Sequence, residues 1–156
     1  MEDRRSISDS QEYGAAYGAS GSLTLLLIDD VPSVLKILEE MLVAAGHTVV
    51  AASNGRDGLR LFNENRIDAI LCDLNMPEMD GWMVARVIRE VCKNGKAKRP
   101  PFFLVTAMAD QIRRDERIDK LGIDAVIAKP VDIVALLETI QESVQKHSGD
   151  TTRLYC

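Results

Sequence analysis

Five apolar runs alternate with stretches of helical spacing along this chain, and nothing else in the sequence constrains its fold as strongly. The runs are LTLLLID (23–29), HTVVAAS (47–53), DAILCD (68–73), PFFLVTA (101–107) and DAVIAK (124–129). Strands separated by helical segments cannot close as hairpins; they need crossover connections, which are right-handed and produce parallel pairing. The first run is continuously apolar, as expected of a central strand covered on both faces. After it, Pro32 suits the first turn of a helix, and Val34, Leu38, Met41, Leu42 and Ala45 recur at helical spacing until Gly46 stops them. A short second helix holds Gly58, Leu59, Leu61 and Phe62, and a third covers 81–92. A polar helix is expected over 109–121 and a final one over 131–146, with Ile133, Leu136, Leu137, Ile140 and Val144 facing inward. The pattern predicts an α/β fold: a doubly wound, five-stranded parallel sheet with helices on both faces.

The length of 156 residues fits one domain with something left over. Residues 1–22 offer Ser, Gly and Tyr but one large aliphatic, Ile7, too little burial to offset the entropy of ordering. They read as a disordered tail before a domain at 23–147, with a short polar tail at 148–156; His147 already looks like part of that polar end. A formal net charge of -5 argues against a nucleic-acid surface. The one basic cluster, KNGKAKR (93–99), reads as a solvated loop. No apolar stretch is long enough for a membrane span, and Arg4 and Arg5 have no apolar segment behind them to make a signal peptide, so a cytoplasmic protein is expected. Cys72, Cys92 and Cys156 lack metal or redox spacing, and His47 and His147 are too far apart to suggest a metal site.

In an open parallel sheet, ligands bind at the carboxyl ends of the strands, where strand order reverses. Here the first run ends in Asp29 and Asp30, the third in Asp73, the fourth in Thr106, and the fifth in Lys129 before Pro130. Each has an ordinary reading alone. Asp29 and Asp30 could cap the following helix, Asp73 could open a turn, Thr106 could edge the core, and Lys129 could be a solvated strand end. Together, on one edge, they suggest chemistry. Three carboxylates repel one another unless a cation joins them, and oxygen-only ligands suit a hard ion such as Mg²⁺. With a lysine for an anion and a hydroxyl donor, such a site is equipped for phosphoryl transfer to the carboxylate of Asp73.

The motifs LLLIDD, CDLNMPEMDG, LVTA and IAKP together resemble the receiver domain of two-component response regulators, including the single-domain chemotaxis type, over roughly 23–147. The resemblance implies a flavodoxin-like strand order, 2-1-3-4-5. It also implies that Asp73 is the phospho-acceptor, that Asp30 ligates Mg²⁺ directly and Asp29 mostly through water, and that the Asn75 backbone carbonyl is a third protein ligand. Lys129 would contact the phosphoryl group, Thr106 would turn inward to hydrogen-bond it, and the Lys129–Pro130 bond would be cis. Gly81 would let the acceptor loop fold back into its helix, with Asp80 serving turn geometry and Glu78 a plain exposed acid.

Where receivers usually carry Tyr or Phe three residues before the lysine, this chain has Val126, which has no ring to swing. Signalling would then pass through the loop after Thr106 and the helix near 109–121. The stretch from Asn94 to Pro101 is slightly longer than usual, a tolerated surface insertion or an interaction loop. Asn75 and Met108 take the positions that flank the attacking water. Met108 is a poor partner for that water, so no unusual acceleration of hydrolysis is expected. The implied partners are a histidine kinase or a histidine phosphotransfer protein, and a downstream protein target, since no effector motif follows the last helix. The face formed by 109–121, 124–128 and 131–146 is where the family places a homodimer; Arg113, Arg114, Asp115, Glu116 and Arg117 there could pair across a two-fold axis or merely solvate it. The reading is of a signalling domain, not a metabolic enzyme. Its rivals are a receiver segment of a hybrid sensor kinase, a phosphorylation-independent scaffold, and a flavin or nucleotide binder. The last lacks a Gly-rich phosphate loop, where IDDVPS stands instead.

Overall fold

The computed structural model describes residues 21–95 and 98–149. The tails expected at the two ends fall outside these residues, apart from 21–22 and 148–149. In chain order the elements are β1 (Thr24–Ile28), α1 (Pro32–Ala44), β2 (Thr48–Ala52), α2 (Gly55–Glu64), β3 (Ala69–Asp73), α3 (Gly81–Gly95), β4 (Phe102–Thr106), α4 (Ala109–Ile112), α5 (Glu116–Leu121), β5 (Ala125–Ala128) and α6 (Ile133–Gly149). The five strands form one parallel sheet in the order β2-β1-β3-β4-β5, as expected.

Side-chain alternation along the central strands divides the core into two layers. On one face Leu26, Ile28, Ile70, Cys72 and Leu104 pack against α2, α3, α4 and α5 through Trp82, Val84, Ile88, Ile112 and Leu121. On the other, Leu25, Leu27, Leu71, Phe103 and Val105 meet α1 and α6 through Leu38, Leu42, Leu136 and Ile140. Every residue of β3 and β4 is buried, which explains why both read as unbroken apolar runs up to their polar last residues, Asp73 and Thr106. Each fully buried Leu or Phe here contributes about 2 kcal/mol by removal from water.

Three expectations are corrected. The polar helix foreseen at 109–121 is two short helices, α4 and α5, broken at 113–115. Asp115 is extended and caps α5 by accepting a hydrogen bond from the Arg117 N–H, and only Ile112, Ile118 and Leu121 reach the core layer. A segment with so sparse an apolar stripe gains little from staying one helix. Second, α3 runs to Gly95, beyond the boundary expected at 92, so it takes in part of the basic segment.

Third, the final helix reaches Gly149, and His147 is buried instead of beginning a polar tail. Its Nε2 lies 2.7 Å from Asp124 Oδ1 and its Nδ1 3.2 Å from the Arg99 carbonyl oxygen. Asp124 also accepts from the Phe102 N–H at 2.8 Å and pairs with Arg99 at 3.7 Å, which fastens the end of α6 to the starts of β4 and β5. Burial works to raise the Asp124 pKa, but His147, the Phe102 N–H and Arg99 outweigh it and leave it lowered. His147→Ala is expected to cost about 2 kcal/mol of stability, from a small void and a carboxylate with one donor fewer. Urea unfolding checks this; an unchanged midpoint would show that the contact holds nothing.

Candidate functional site

The acidic pocket forms because the polar last residues of four strands arrive at one edge. Asp29 continues the β1 ladder by one residue, its N–H donating to the Ala52 carbonyl at 3.1 Å. Asp73 closes β3, paired in register with Val105, one residue before Thr106. The Lys129 N–H donates to the Thr106 carbonyl at 3.0 Å, tying the ends of β4 and β5 together. The Lys129–Pro130 peptide is cis.

Carboxylate oxygens of Asp29, Asp30 and Asp73 all lie within 4.8 Å of one another. Lys129 Nζ sits 3.0 Å from Asp29 Oδ2 and 3.1 Å from Asp73 Oδ1, bridging two of the three acids. Asp29 is 1% exposed and Asp73 6%, so their charges are poorly solvated. Burial, then the negative charge of Asp29, raise the Asp73 pKa to about 6, against the opposing pull of Lys129. Burial alone would lower the Lys129 pKa, but the two carboxylates outweigh it and hold it up. Buried Cys72, beside this charge, is pushed well above the usual thiol range, chiefly by burial and then by Asp73, and stays protonated.

Neither of the first two acids caps α1: the cap position is Val31, without a side-chain bond. Asp29 instead accepts the Val31 N–H at 2.9 Å, which orients its carboxylate while the other oxygen meets Lys129. Thr106 is buried, and its hydroxyl accepts the Met108 N–H at 3.1 Å. Asn75 is exposed, and its amide nitrogen lies 3.8 Å from the Met108 sulfur, so these two residues are in contact.

The loop that follows Asp73 has features the sequence only hinted at. Glu78, expected to be an ordinary loop acid, takes a positive φ of 66°, at a tight turn in which the Met79 N–H donates to the Pro77 carbonyl at 2.7 Å. Asp80 accepts from the Met83 N–H at 2.9 Å and so starts α3. Gly81 serves close approach: a Cβ there would lie 2.8 Å from the Asp73 carbonyl oxygen and 3.0 Å from Leu74 Cα. Arg117, expected either to pair across a two-fold axis or to solvate the surface, places its guanidinium 4.2 Å from the centre of the Trp82 ring.

All ligand atoms in the acidic cluster are oxygens, and among the described residues no Cys or His side chain joins them, a donor set that fits a hard divalent cation such as Mg²⁺. The bridging ammonium adds a fixed positive charge for an anion. The arrangement can hold charge of both signs around one buried carboxylate.

Comparison with known proteins gives the family and the fold. The family model described as "Response regulator receiver domain" matches residues 25–141. The transcriptional regulatory protein GlrR of Escherichia coli is 32% identical over 130 residues, covering 81% of this chain but 27% of GlrR. The sensor histidine kinase RcsC of Salmonella typhi is 31% identical over 122 residues, 78% of this chain and 12% of RcsC. The chain thus spans only a part of these curated relatives. Among solved structures, the Vibrio cholerae chemotaxis protein CheY4 superposes with a TM-score of 0.69 at 26% identity, covering 79% of this chain and 99% of that one. A putative response regulator from Chloroflexus aurantiacus gives 0.70 at 27% identity, with 80% and 99% covered.

Proposed function

The chain belongs to the response regulator receiver family, and from that premise we propose that it is a Mg²⁺-dependent phospho-acceptor whose acceptor is Asp73. Receiver domains are signalling modules of two-component systems, not metabolic enzymes. The observation that carries the assignment is the buried Asp73 carboxylate held 3.1 Å from Lys129 Nζ within a cluster of three acids.

Asp30, Asp73 and the backbone carbonyl of Asn75 would hold the ion directly, and Asp29 mostly through water. When bound, Mg²⁺ offsets the repulsion among the carboxylates and the charge on the phosphoryl oxygens. An Asp73 oxygen attacks the phosphorus of a phospho-histidine in line; the new O–P bond forms as the N–P bond breaks, and the imidazole leaves with that electron pair. Lys129 exchanges its contact with the ionised acceptor for one with the phosphoryl oxygens. The Thr106 hydroxyl, now an acceptor for Met108, turns to donate to the same group. The donor is a histidine kinase or a phosphotransfer protein.

Phosphorylation takes the Asp73 side chain from a charge of about -1 to roughly -2 and adds three acceptor oxygens, which biases a protein-binding surface, and the output is a protein contact. The similarity to a sensor kinase of which this chain spans a small part favours a second form of the same reading: a receiver segment within a larger hybrid kinase.

Intact-mass analysis with acetyl phosphate, with and without Mg²⁺, tests the proposal. A single phosphoryl adduct requiring both Mg²⁺ and Asp73 is expected. Absence of the adduct together with failure to bind beryllofluoride would eliminate the phospho-acceptor reading in favour of a phosphorylation-independent scaffold.

A further inference from the structure

The acidic site feeds two segments of chain, and these meet again away from it. The first leaves Asp73 and enters α3 through Gly81 and Trp82. Gly81 leaves no space between itself and the Asp73–Leu74 backbone, and its N–H donates to the Leu74 carbonyl at 2.9 Å, so Trp82 is anchored to the acceptor loop. The second leaves Thr106 and reaches α4 and α5. Met108 is bonded to the Thr106 hydroxyl, and past the break at 113–115 Asp115 grips Arg117. Its oxygens accept from Arg117 Nε at 2.9 Å and Nη2 at 2.7 Å. A guanidinium held in this way has little freedom, and it lies over the Trp82 ring.

Trp82 is also the one aromatic, among the described residues, at the carboxyl edge of the sheet. Phe62 lies near the far end of α2, and Phe102 and Phe103 begin β4, all toward the opposite edge. Val126 of β5 packs in the same core layer as Trp82.

We propose that the stacking of Arg117 on Trp82 is a latch between the acceptor loop and the α4–α5 segment, and that loading Asp73 opens it. The inference rests on the phospho-acceptor reading. When the Thr106 hydroxyl turns toward the phosphoryl group it gives up the Met108 N–H, which frees the start of the segment that carries Asp115 and Arg117. Trp82 stays fixed to the acceptor loop, so the relative displacement falls on the stacked pair. An opened latch exposes the indole face and the cation together, and changes the α4–α5 surface that a partner meets.

Trp82 is the single tryptophan of the sequence, so its fluorescence reports the latch directly. Emission and intact mass are read on the same samples treated with acetyl phosphate and Mg²⁺, for the wild type and for Arg117→Met. Arg117 is exposed, and methionine keeps the apolar stem without the charge, so the variant retains the fold. The wild type is expected to gain the adduct and a red-shifted emission, and Arg117→Met to gain the adduct with the shift lost. An adduct without a shift in the wild type would overturn the latch alone. So would an undiminished shift in the variant, or a variant that takes no adduct. Absence of the adduct from the wild type, together with failure to bind beryllofluoride, would overturn the phospho-acceptor reading and the latch with it; beryllofluoride binding without a shift in emission would overturn the latch alone.

Discussion

Asp73→Asn is expected to accept no phosphoryl group and, free of metal above pH 7, to be about 3 kcal/mol more stable than the wild type. The loss of function follows from removing the nucleophilic oxygen. The gain follows from the raised pKa of Asp73, about 6 in the folded protein against an ordinary 3.8. Between those two values the native state retains a proton that the unfolded chain has released, so stability falls as pH rises through this window. A rise of about two units corresponds to about 3 kcal/mol, fully present above pH 7 and absent below pH 4. Asparagine fills the same space without the charge, and Lys129 keeps Asp29 as its partner. Urea unfolding in a chelator at pH 4 and pH 7.5 checks this. A variant no more stable than the wild type at pH 7.5 would show that the buried acids do not strain the metal-free fold.

Gly81→Ala should cost about 3 kcal/mol and slow phosphoryl uptake at least tenfold. The added methyl would meet the Asp73 carbonyl oxygen and Leu74 Cα, backbone atoms that cannot rotate aside, as well as Leu104 Cδ2 at 2.6 Å. Relief requires α3 to move away from β3, and that displaces the acceptor itself. Gly55→Ala is the internal comparison and should cost less, because the three atoms nearest a Cβ there all belong to the Met79 side chain, Sδ at 2.8 Å, Cγ at 2.9 Å and Cβ at 3.0 Å, with no backbone atom among them and the outer two able to move. Denaturation midpoints for the pair, with adduct formation timed by mass, separate the two cases. Equal losses at both glycines would contradict the backbone explanation.

The sheet and its polar edge were readable in the sequence because β1, β3 and β4 are covered on both faces. Their apolar runs continue until a polar residue of the candidate site interrupts them, so Asp29, Asp73 and Thr106 announce themselves by ending a run. The helices on polar surfaces were less legible. Between 109 and 121 the inward residues are few, and the break is made by a single backbone turn and cap at Asp115. His147 was misplaced because its partners lie 48 and 23 residues away, and no local pattern marks a histidine that a distant aspartate and carbonyl will bury. The Arg117 stack was hidden for the same reason: a charge run looks identical whether or not one member lies on a ring.

Chain order and sheet order together give the bridging lysine a mechanical meaning. β1, β2 and β3 make one half of the sheet, and the ends of β1 and β3 contribute Asp29, Asp30 and Asp73; β4 and β5 make the other and contribute Thr106 and Lys129. The halves share one seam, between β3 and β4. Lys129 reaches from the outermost strand of its half across that seam to Asp73, and on to Asp29 beyond. The pocket is therefore completed only where the halves join, and any change in its charge is a load applied across the middle of the domain, pulling the two halves together or easing them apart.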